Sequence, residues 1–130
     1  MPNKMTILVV EDEQPLSDVI RKKLELNDFE VVTARSVEQA LEYLGEIKTI
    51  KAVWLDHYLV GEQNGLDYVV RLKQEGSPWK EVPIFVISNT ASPETMQSYL
   101  KLGVSKYYIK SNFRLDQIVT EVKELVEKQS

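Results

Sequence analysis

The feature that most constrains the fold of this chain is a regular alternation between short apolar runs and segments with helical spacing. Apolar residues dominate five runs, at residues 7–10, 30–34, 52–55, 84–87 and 107–109. Short runs of this kind, mostly rich in β-branched residues, predict β-strands. Several of them are continuously apolar, which indicates strands covered on both faces, as in a parallel sheet.

Between and after these runs, apolar residues recur three and four positions apart, which predicts five helices. The stripes of the first and third helices consist of Leu16, Val19, Ile20 and Leu24, and of Leu66, Val69 and Val70. Ser36 and Gln39 match a capping box at the start of the second helix, and Gly45 is expected to end it. Ser92 and Gly103 are expected to bound the fourth. Strand and helix alternating five times predict an α/β fold with helices on both faces of one parallel sheet.

Composition narrows the class of protein further. A length of 130 residues predicts one domain, residues 1–130. The chain has no cysteine, which excludes disulfides and thiolate zinc sites, and its single histidine, His57, excludes a multi-histidine metal site. A net charge of −4 argues against broad attraction to nucleic acid. The apolar runs are too short to span a bilayer and the first residues lack a signal core, so we expect a cytoplasmic protein.

Charged and polar residues directly follow four of the predicted strands. Glu11 and Asp12 follow the first strand, Asp56 the third, Ser88 the fourth and Lys110 the fifth. Each residue also has a purely structural explanation, since acidic groups favour helix starts and serine favours turns. The carboxyl ends of parallel strands meet at one edge of the sheet, where such folds bind ligands. We therefore expect these side chains to converge on one site.

The predicted site has the composition of a magnesium centre. Carboxylates held close together repel one another unless a cation joins them, and an oxygen-only ligand set suits Mg²⁺. Mg²⁺ and the Lys110 ammonium would carry three positive charges against the three negative charges of Glu11, Asp12 and Asp56. Such a site can take up a phosphoryl group, with a carboxylate as the nucleophile.

Four segments of the chain resemble the receiver domain of bacterial response regulators. Residues 7–13 (ILVVEDE) are similar to its first strand and acidic pair, and residues 53–56 (VWLD) to the strand that carries the phosphoacceptor. Residues 83–88 (PIFVIS) resemble the strand that ends in a hydroxyl residue, and residues 107–110 (YYIK) the aromatic switch and lysine. The resemblance covers nearly the whole chain and implies a flavodoxin-like, doubly wound (βα)5 fold with strand order 2-1-3-4-5.

The resemblance also assigns roles to the residues of the predicted site. Asp56 would accept a phosphoryl group as an acyl phosphate, while Ser88 and Lys110 would contact phosphoryl oxygens. The implied Mg²⁺ ligands are Asp12, Asp56, the backbone carbonyl of Tyr58 and, mainly through water, Glu11. Phosphorylation would pull Ser88 inward and turn Tyr107 into the vacated space. The face formed by the fourth helix, fifth strand and fifth helix would change as a result.

These roles imply a phosphorylation-dependent signalling switch in a two-component phosphorelay. The phosphoryl group would come from a sensor histidine kinase or a histidine phosphotransfer protein, and the remodelled face would contact a downstream protein. Because such a chain catalyses only its own phosphorylation and dephosphorylation, we do not expect an enzyme, nor direct nucleic-acid binding or a membrane span. The sequence leaves two questions open: whether phosphorylation causes dimerisation, and whether the chain is a stand-alone protein or part of a longer one.

The chain departs from the family pattern at several positions. Ser111 follows Lys110 where the family usually has a proline after a cis bond. A cis bond before a residue other than proline costs about 2.5–4 kcal/mol, so we expect a trans or strained bond. Val60 replaces a common proline and Gly65 lies one residue later than the family's glycine, which predicts a looser loop beside the site. Ser88 stands where threonine is commoner.

Residues next to the site have simpler interpretations. Because successive strand residues point in opposite directions, His57 is expected to face away from Asp56 and to have no catalytic part. Tyr107 is favoured as the switch, with Tyr108 and Trp54 in the core.

Three further residues flank the site. Glu13 is expected in the first turn of a helix, where it would interact with the helix dipole. Tyr58 and Thr90 lie where they could tune the lifetime of the acyl phosphate, a hypothesis from their positions alone.

Other functions remain as alternatives. The departures at Val60 and Ser111 motivate one alternative, a degenerate receiver that binds proteins independently of phosphate. The intact acidic pair, acceptor and lysine weigh against it. A phosphatase with an aspartyl nucleophile would need a second catalytic aspartate and a cap segment. A flavin carrier would need a phosphate-binding loop where Glu11, Asp12 and Glu13 stand, and their charge would repel the phosphate.

Overall fold

The computed structural model describes residues 4–59, 61, 63–89 and 92–128. Strands and helices alternate along this part of the chain. The strands are β1 (Thr6–Val10), β2 (Glu30–Ala34), β3 (Ile50–Leu55), β4 (Ile84–Ser88) and β5 (Lys106–Ile109). The helices are α1 (Gln14–Glu25), α2 (Val37–Glu46), α3 (Gly65–Lys73), α4 (Pro93–Lys101) and α5 (Leu115–Lys128). A short 3-10 helix, Lys110–Asn112, lies between β5 and α5.

The five strands form one parallel sheet in the order β2-β1-β3-β4-β5, which confirms the predicted topology. The third strand begins earlier than its apolar pattern indicates. Thr6 of β1 pairs with Ile50, whereas Ile7 pairs with Ala52. Lys51 is therefore an extra, exposed residue in β3. Because this lysine interrupts the apolar run, the sequence pattern begins only at Ala52.

Two hydrophobic cores cover the two faces of the sheet, which explains the continuously apolar strands. Leu8 and Val10 pack with residues of α2, α3 and α4, in what we call the α2–α4 core. Ile7 and Val9 pack on the opposite face with residues of α1 and α5, in the α1/α5 core. Trp54 is buried in the α1/α5 core, as predicted. The alternation of side chains along each strand decides which core a residue joins.

The ends of α2 differ in detail from the prediction. The Ser36 Oγ caps the helix by accepting a hydrogen bond from the backbone N–H of Gln39 at 3.2 Å. The Gln39 side chain accepts from the backbone N–H of Arg35 at 2.9 Å rather than from that of Ser36, so the capping box is incomplete. The prediction that Gly45 ends the helix is wrong, because Gly45 lies inside α2. The chain leaves through Ile47, which is extended and packs against the α2–α4 core.

Both predicted bounds of α4 are confirmed. Ser92 is its N-cap, accepting from the Thr95 backbone N–H at 3.4 Å, and Gly103 follows the helix with a φ of 91°.

Two predicted members of the apolar stripes lie outside the cores. Val19 and Val70 are 45% and 43% exposed, whereas their neighbours Ile20 and Val69 are buried. Consecutive helical residues point about 100° apart around the helix axis, so two neighbouring residues cannot both point directly at the sheet. In the described part of the chain, no helix combines the length and apolarity needed to cross a membrane.

Candidate functional site

The backbone of the sheet brings the predicted site residues to one edge. The ladder continues one residue past β1 and β3, because the Glu11 N–H donates to the Ala34 carbonyl and the Asp56 N–H donates to the Val10 carbonyl. These bonds, 2.9 and 3.0 Å long, fix the two acidic residues side by side at the carboxyl ends of neighbouring strands. Their convergence follows from the strand order.

Three carboxyl groups cluster at this edge. One carboxylate oxygen from each of Glu11, Asp12 and Asp56 lies within 4.8 Å of the others. Glu11 is 1% exposed and Asp56 is 6% exposed, while Asp12 is half-buried. A compact set of carboxylate oxygens that is partly open to solvent fits a hydrated Mg²⁺ ion, which prefers a few carboxylates and several waters. The residues present therefore suit the metal that the sequence predicts.

Lys110 reaches into the cluster from the end of β5. Its Nζ lies 3.4 Å from Glu11 Oε1 and 3.5 Å from Asp56 Oδ2, so one ammonium group contacts two carboxylates. With all three carboxylates ionised, the cluster would keep two uncompensated negative charges, which a divalent cation would match. The bond between Lys110 and Ser111 is trans, one of the two expected outcomes.

Burial raises the pKa of two carboxyl groups of the cluster. It raises the pKa of Glu11 to about 7, and the charge of Asp56 adds to the rise. Burial also raises the pKa of Asp56, while the Lys110 ammonium opposes this shift. Both shifts favour the protonated carboxyl groups over the carboxylates. A divalent cation would oppose this protonation, because positive charge favours the ionised carboxylates.

The backbone after β3 supports the Asp56 carboxylate. Hydrogen bonds from the backbone N–H groups of His57 and Tyr58 lower its pKa and so favour the ionised form. Tyr58 itself is 60% exposed at the rim of the site. Two further residues of the sequence analysis lie outside the described residues: Val60, which was linked to a looser loop, and Thr90, which was linked to the lifetime of the acyl phosphate.

Ser88 and Tyr107 form a second polar contact near the cluster. Ser88 is completely buried at the end of β4, and Tyr107 is half-buried on β5. Burial raises the pKa of Tyr107, and a side-chain hydrogen bond with Ser88 opposes this rise. Tyr108 is buried in the α1/α5 core, where its hydroxyl donates to Glu121 Oε1 at 2.7 Å. The two tyrosines thus occupy opposite faces, as their alternation predicts.

His57 points away from the acidic cluster. Its Nδ1 is hydrogen-bonded to the Tyr99 hydroxyl at 2.7 Å, on the side of α4. The imidazole is partly buried, which lowers its pKa and favours the neutral ring. This orientation agrees with the alternation of side chains along β3.

The prediction that Glu13 lies in the first turn of a helix is wrong by one residue. Glu13 is the N-cap residue of α1 and makes no side-chain cap, and the first turn of α1 contains no acidic residue. Its contribution to the site is a backbone one, since its N–H donates to Glu11 Oε2 at 3.2 Å. Pro15 follows at the helix start, which shifts the first turn beyond Glu13.

Sequence reasoning missed two supporting residues. Gly65 opens α3, and its N–H donates to the His57 carbonyl at 2.9 Å. A Cβ on Gly65 would lie 2.6 Å from the carbonyl oxygen of Asp56, so the close approach requires glycine. Arg35 donates from Nε to the Asp12 carbonyl at 3.3 Å. The sequence analysis named Gly65 only as a shifted glycine beside a looser loop, and no sequence pattern indicated its close approach to Asp56 or the Arg35 contact.

Comparison with known proteins gives a consistent result. The family model for the response regulator receiver domain matches residues 7–123. A response regulator described as NtrX-like from Rickettsia bellii is 31% identical over 122 residues, which is 93% of this chain and 24% of that protein. The two-component response regulator ORR3 of Oryza sativa subsp. japonica is 30% identical over 104 residues, 80% of this chain and 78% of that protein. The chain thus spans about a quarter of the NtrX-like relative.

Solved structures share the fold. A response regulator receiver protein from Pseudomonas putida superposes with a TM-score of 0.86 at 23% identity, covering 95% of this chain and 99% of that one. The phosphorylated cyanobacterial phytochrome response regulator RcpA has a TM-score of 0.79 at 25% identity, covering 96% and 93%. The Mn²⁺-bound form of response regulator Rcp1 has a TM-score of 0.78 at 22% identity, covering 92% of each chain. With the match of the family model, these results show that the chain belongs to the response regulator receiver domain family.

Proposed function

We propose that this receiver is a phosphorylation-dependent switch that accepts a phosphoryl group on Asp56. The observation that carries the proposal is the environment of this carboxylate, which lies beside two further acidic groups and 3.5 Å from the Lys110 ammonium. Members of the receiver family are signalling switches rather than classical enzymes. A similar protein, RcpA, is described in its phosphorylated form, which supports the same chemistry here.

The donor set of the acidic cluster would hold Mg²⁺. Asp12 and Asp56 would bind it directly, with the Tyr58 backbone carbonyl, and Glu11 mainly through water. When bound, the ion supplies positive charge that offsets the phosphoryl oxygens. The Mn²⁺ in the similar Rcp1 structure supports a divalent ion at such a site.

The chain's own residues perform the remaining steps of the proposed transfer. A carboxylate oxygen of Asp56 bonds to phosphorus while the bond from phosphorus to the donor imidazole nitrogen breaks, and its electron pair returns to the imidazole. The Lys110 ammonium, already beside Asp56 Oδ2, pairs with a phosphoryl oxygen. The Ser88 hydroxyl then binds another phosphoryl oxygen, which changes its contact with Tyr107. The movement of these two residues alters the face formed by α4, β5 and α5.

The partners follow from this chemistry. The phosphoryl donor would be a histidine kinase or a histidine phosphotransfer protein, and a downstream protein would bind the face of α4, β5 and α5. Residues 1–130 would act as one receiver domain in the cytoplasm. Whether phosphorylation causes dimerisation is a separate question, which a measurement of oligomeric state would answer.

The first test is incubation with acetyl phosphate and Mg²⁺, followed by measurement of the intact mass. We expect one added phosphoryl group, and we expect none in Asp56→Asn or in a sample with Mg²⁺ chelated. If the folded parent protein binds Mg²⁺ and still gains no mass, the proposal is wrong. The chain would then be a degenerate receiver that binds its partners independently of phosphate.

A further inference from the structure

A hydrogen bond joins the end of the phosphoacceptor strand to α4. The Nδ1 atom of His57, the residue after Asp56, lies 2.7 Å from the hydroxyl of Tyr99 in the last turn of α4. The two rings meet edge to face, with centroids 5.6 Å apart. These residues are 42 positions apart in the sequence, so the contact depends on how α4 packs on the sheet.

Tyr99 holds α4 in place. It is the one residue of this nine-residue helix, all of which is described, that is buried in the core, and it is completely buried. Its ring also lies against Tyr107, with centroids 5.7 Å apart. A displacement of Tyr99 would therefore move α4 and change the surroundings of Tyr107 together.

The junction between His57 and Tyr99 has little free space. A Cβ on Gly65 would lie 2.6 Å from both the Tyr99 hydroxyl and the carbonyl oxygen of Asp56, and 3.1 Å from the Cα of His57. Tightly packed groups of this kind move together rather than independently. A movement of the backbone at Asp56 or His57 would thus reach the Tyr99 hydroxyl.

The charge on Asp56 acts directly on this backbone. Its attraction to the backbone N–H groups of His57 and Tyr58 lowers the pKa of Asp56, and the Gly65 N–H donates to the His57 carbonyl at 2.9 Å. Phosphorylation would replace the carboxylate with a larger, more negative group and so change its interaction with this backbone. A shift of the His57 backbone would also move the His57 imidazole. Phosphorylation of Asp56 would therefore be transmitted to α4 through the hydrogen bond between His57 and Tyr99.

We propose that His57 and Tyr99 are positioning residues that couple the occupancy of Asp56 to the placement of α4. This connection starts at the end of β3 and reaches Tyr107 through the Tyr99 ring, whereas the contact between Ser88 and Tyr107 starts at the end of β4. The inference rests on the proposed function, because it requires a phosphoryl group on Asp56. The His57 side chain points away from the acidic cluster and is hydrogen-bonded to Tyr99, so both residues would act on the response rather than on the transfer.

The test compares α4 before and after phosphorylation in five proteins. The variants are His57→Leu and Tyr99→Phe, which remove the hydrogen bond, and His57→Asn, which keeps a polar atom near the position of Nδ1. Tyr68→Phe is the matched control, because Tyr68 is equally buried in the α2–α4 core and its hydroxyl donates to the Ala40 carbonyl instead. Intact mass measures phosphoryl uptake from acetyl phosphate, and the amide NMR shifts of residues 93–101 measure the response of α4.

We expect all five proteins to gain one phosphoryl group. The parent and Tyr68→Phe should show the full shift of the α4 amides, while His57→Leu and Tyr99→Phe should lower the ratio of shifted to unshifted populations about five-fold. His57→Asn should recover part of the response. A sixth protein, the double variant of His57→Leu and Tyr99→Phe, should also gain one phosphoryl group and resemble either single variant, because both substitutions remove the same bond.

Two results would overturn the inference. If the single variants are phosphorylated and keep the full α4 response, the bond has no coupling role while the proposed function stands. If Tyr68→Phe lowers the response as much as Tyr99→Phe, the effect reflects general loosening of the core. A parent protein that gains no phosphoryl group would contradict the proposed function itself and the inference with it, and the mass measurement identifies that case.

Discussion

The Lys110 ammonium contacts two buried carboxylates, those of Glu11 and Asp56, from the end of β5. Its Nζ lies at nearly equal distances from Glu11 and Asp56, 3.4 and 3.5 Å. In the proposed transfer, this position would let Lys110 pair with a phosphoryl oxygen on Asp56 without a large movement. This geometry depends on the end of β5, where the 3-10 helix Lys110–Asn112 begins directly after the strand.

Replacing the lysine tests this role. We expect Lys110→Met to slow phosphoryl uptake from acetyl phosphate about 100-fold, because a preorganised charge facing the transferred group is lost. Lys106→Met is the control, since Lys106 is an exposed residue of the same strand. The rate would be followed by intact mass. Uptake by Lys110→Met within two-fold of the parent would contradict the assignment.

The protonation of Glu11 predicts a dependence of stability on pH. Its pKa in the folded protein, about 7, lies above the ordinary 4.5, so the folded chain binds more protons than the unfolded chain between these values. The stability linked to this group is therefore complete below pH 4.5 and is lost as the pH rises to about 7. The change is on the order of 3 kcal/mol.

Denaturant unfolding in metal-free buffer at several pH values between 4.5 and 8 would measure this loss. We expect Glu11→Gln to flatten the curve, whereas Glu13→Gln, an exposed neighbour, should keep the parent's slope. Equal slopes for the parent and Glu11→Gln would show that burial does not hold a proton on this group.

At the scale of secondary-structure elements, the start of α3 is set by a backbone contact rather than by an apolar pattern. A Cβ on Gly65 would lie 2.6 Å from both the carbonyl oxygen of Asp56 and the hydroxyl of Tyr99. The adjoining capping box is complete, because Asn64 accepts from the Asp67 N–H and Asp67 accepts from the Asn64 N–H. The helix therefore begins at a fixed distance from the end of β3.

We expect Gly65→Ala to destabilise the fold by about 1–3 kcal/mol, because the added Cβ would overlap atoms that cannot all move away. Gly45→Ala is the matched control: Gly45 lies inside α2 and a Cβ there would meet nothing within 4 Å. That substitution should stabilise the fold by about 0.5–1 kcal/mol through helix propensity. Chemical denaturation measures both, and a neutral Gly65→Ala would refute the close approach.

At the scale of the whole molecule, the three ionised carboxylates of the acidic cluster would oppose folding, because the Lys110 ammonium compensates only one of their charges. The strand ends hold the cluster together only in the folded chain, so Mg²⁺ should bind the native state in preference to the unfolded one. Binding of this kind shifts the unfolding equilibrium in proportion to ligand concentration.

We therefore expect Mg²⁺ to stabilise the protein by about 1.4 kcal/mol when free Mg²⁺ is ten times its dissociation constant. Asp12→Asn should remove most of this gain, and Asp18→Asn, a half-buried acid of α1 outside the cluster, should keep it. The midpoint of denaturation with and without Mg²⁺ is the measurement. An equal gain in both variants would place the bound ion elsewhere.

Most of the architecture was accessible from the sequence because its signals are local. The apolar runs and helical stripes predicted the order of the elements, and the parallel arrangement followed from strands without a polar face. The boundaries were less accurate where a single residue interrupted a pattern, as Lys51 does in β3, or where a glycine remained helical, as Gly45 does in α2. Packing decides such cases, since it compensates for a weak local preference.

The sequence by itself determined which residues stand at the strand ends, and hence that Glu11, Asp12 and Asp56 come together with a cation nearby. Only the tertiary structure decided that Lys110 contacts two of these carboxylates and that His57 binds Tyr99. The physical reason is the range of the interactions. Periodicity and strand order follow from neighbours in the chain, whereas a contact between side chains of distant elements depends on how the helices pack on the sheet.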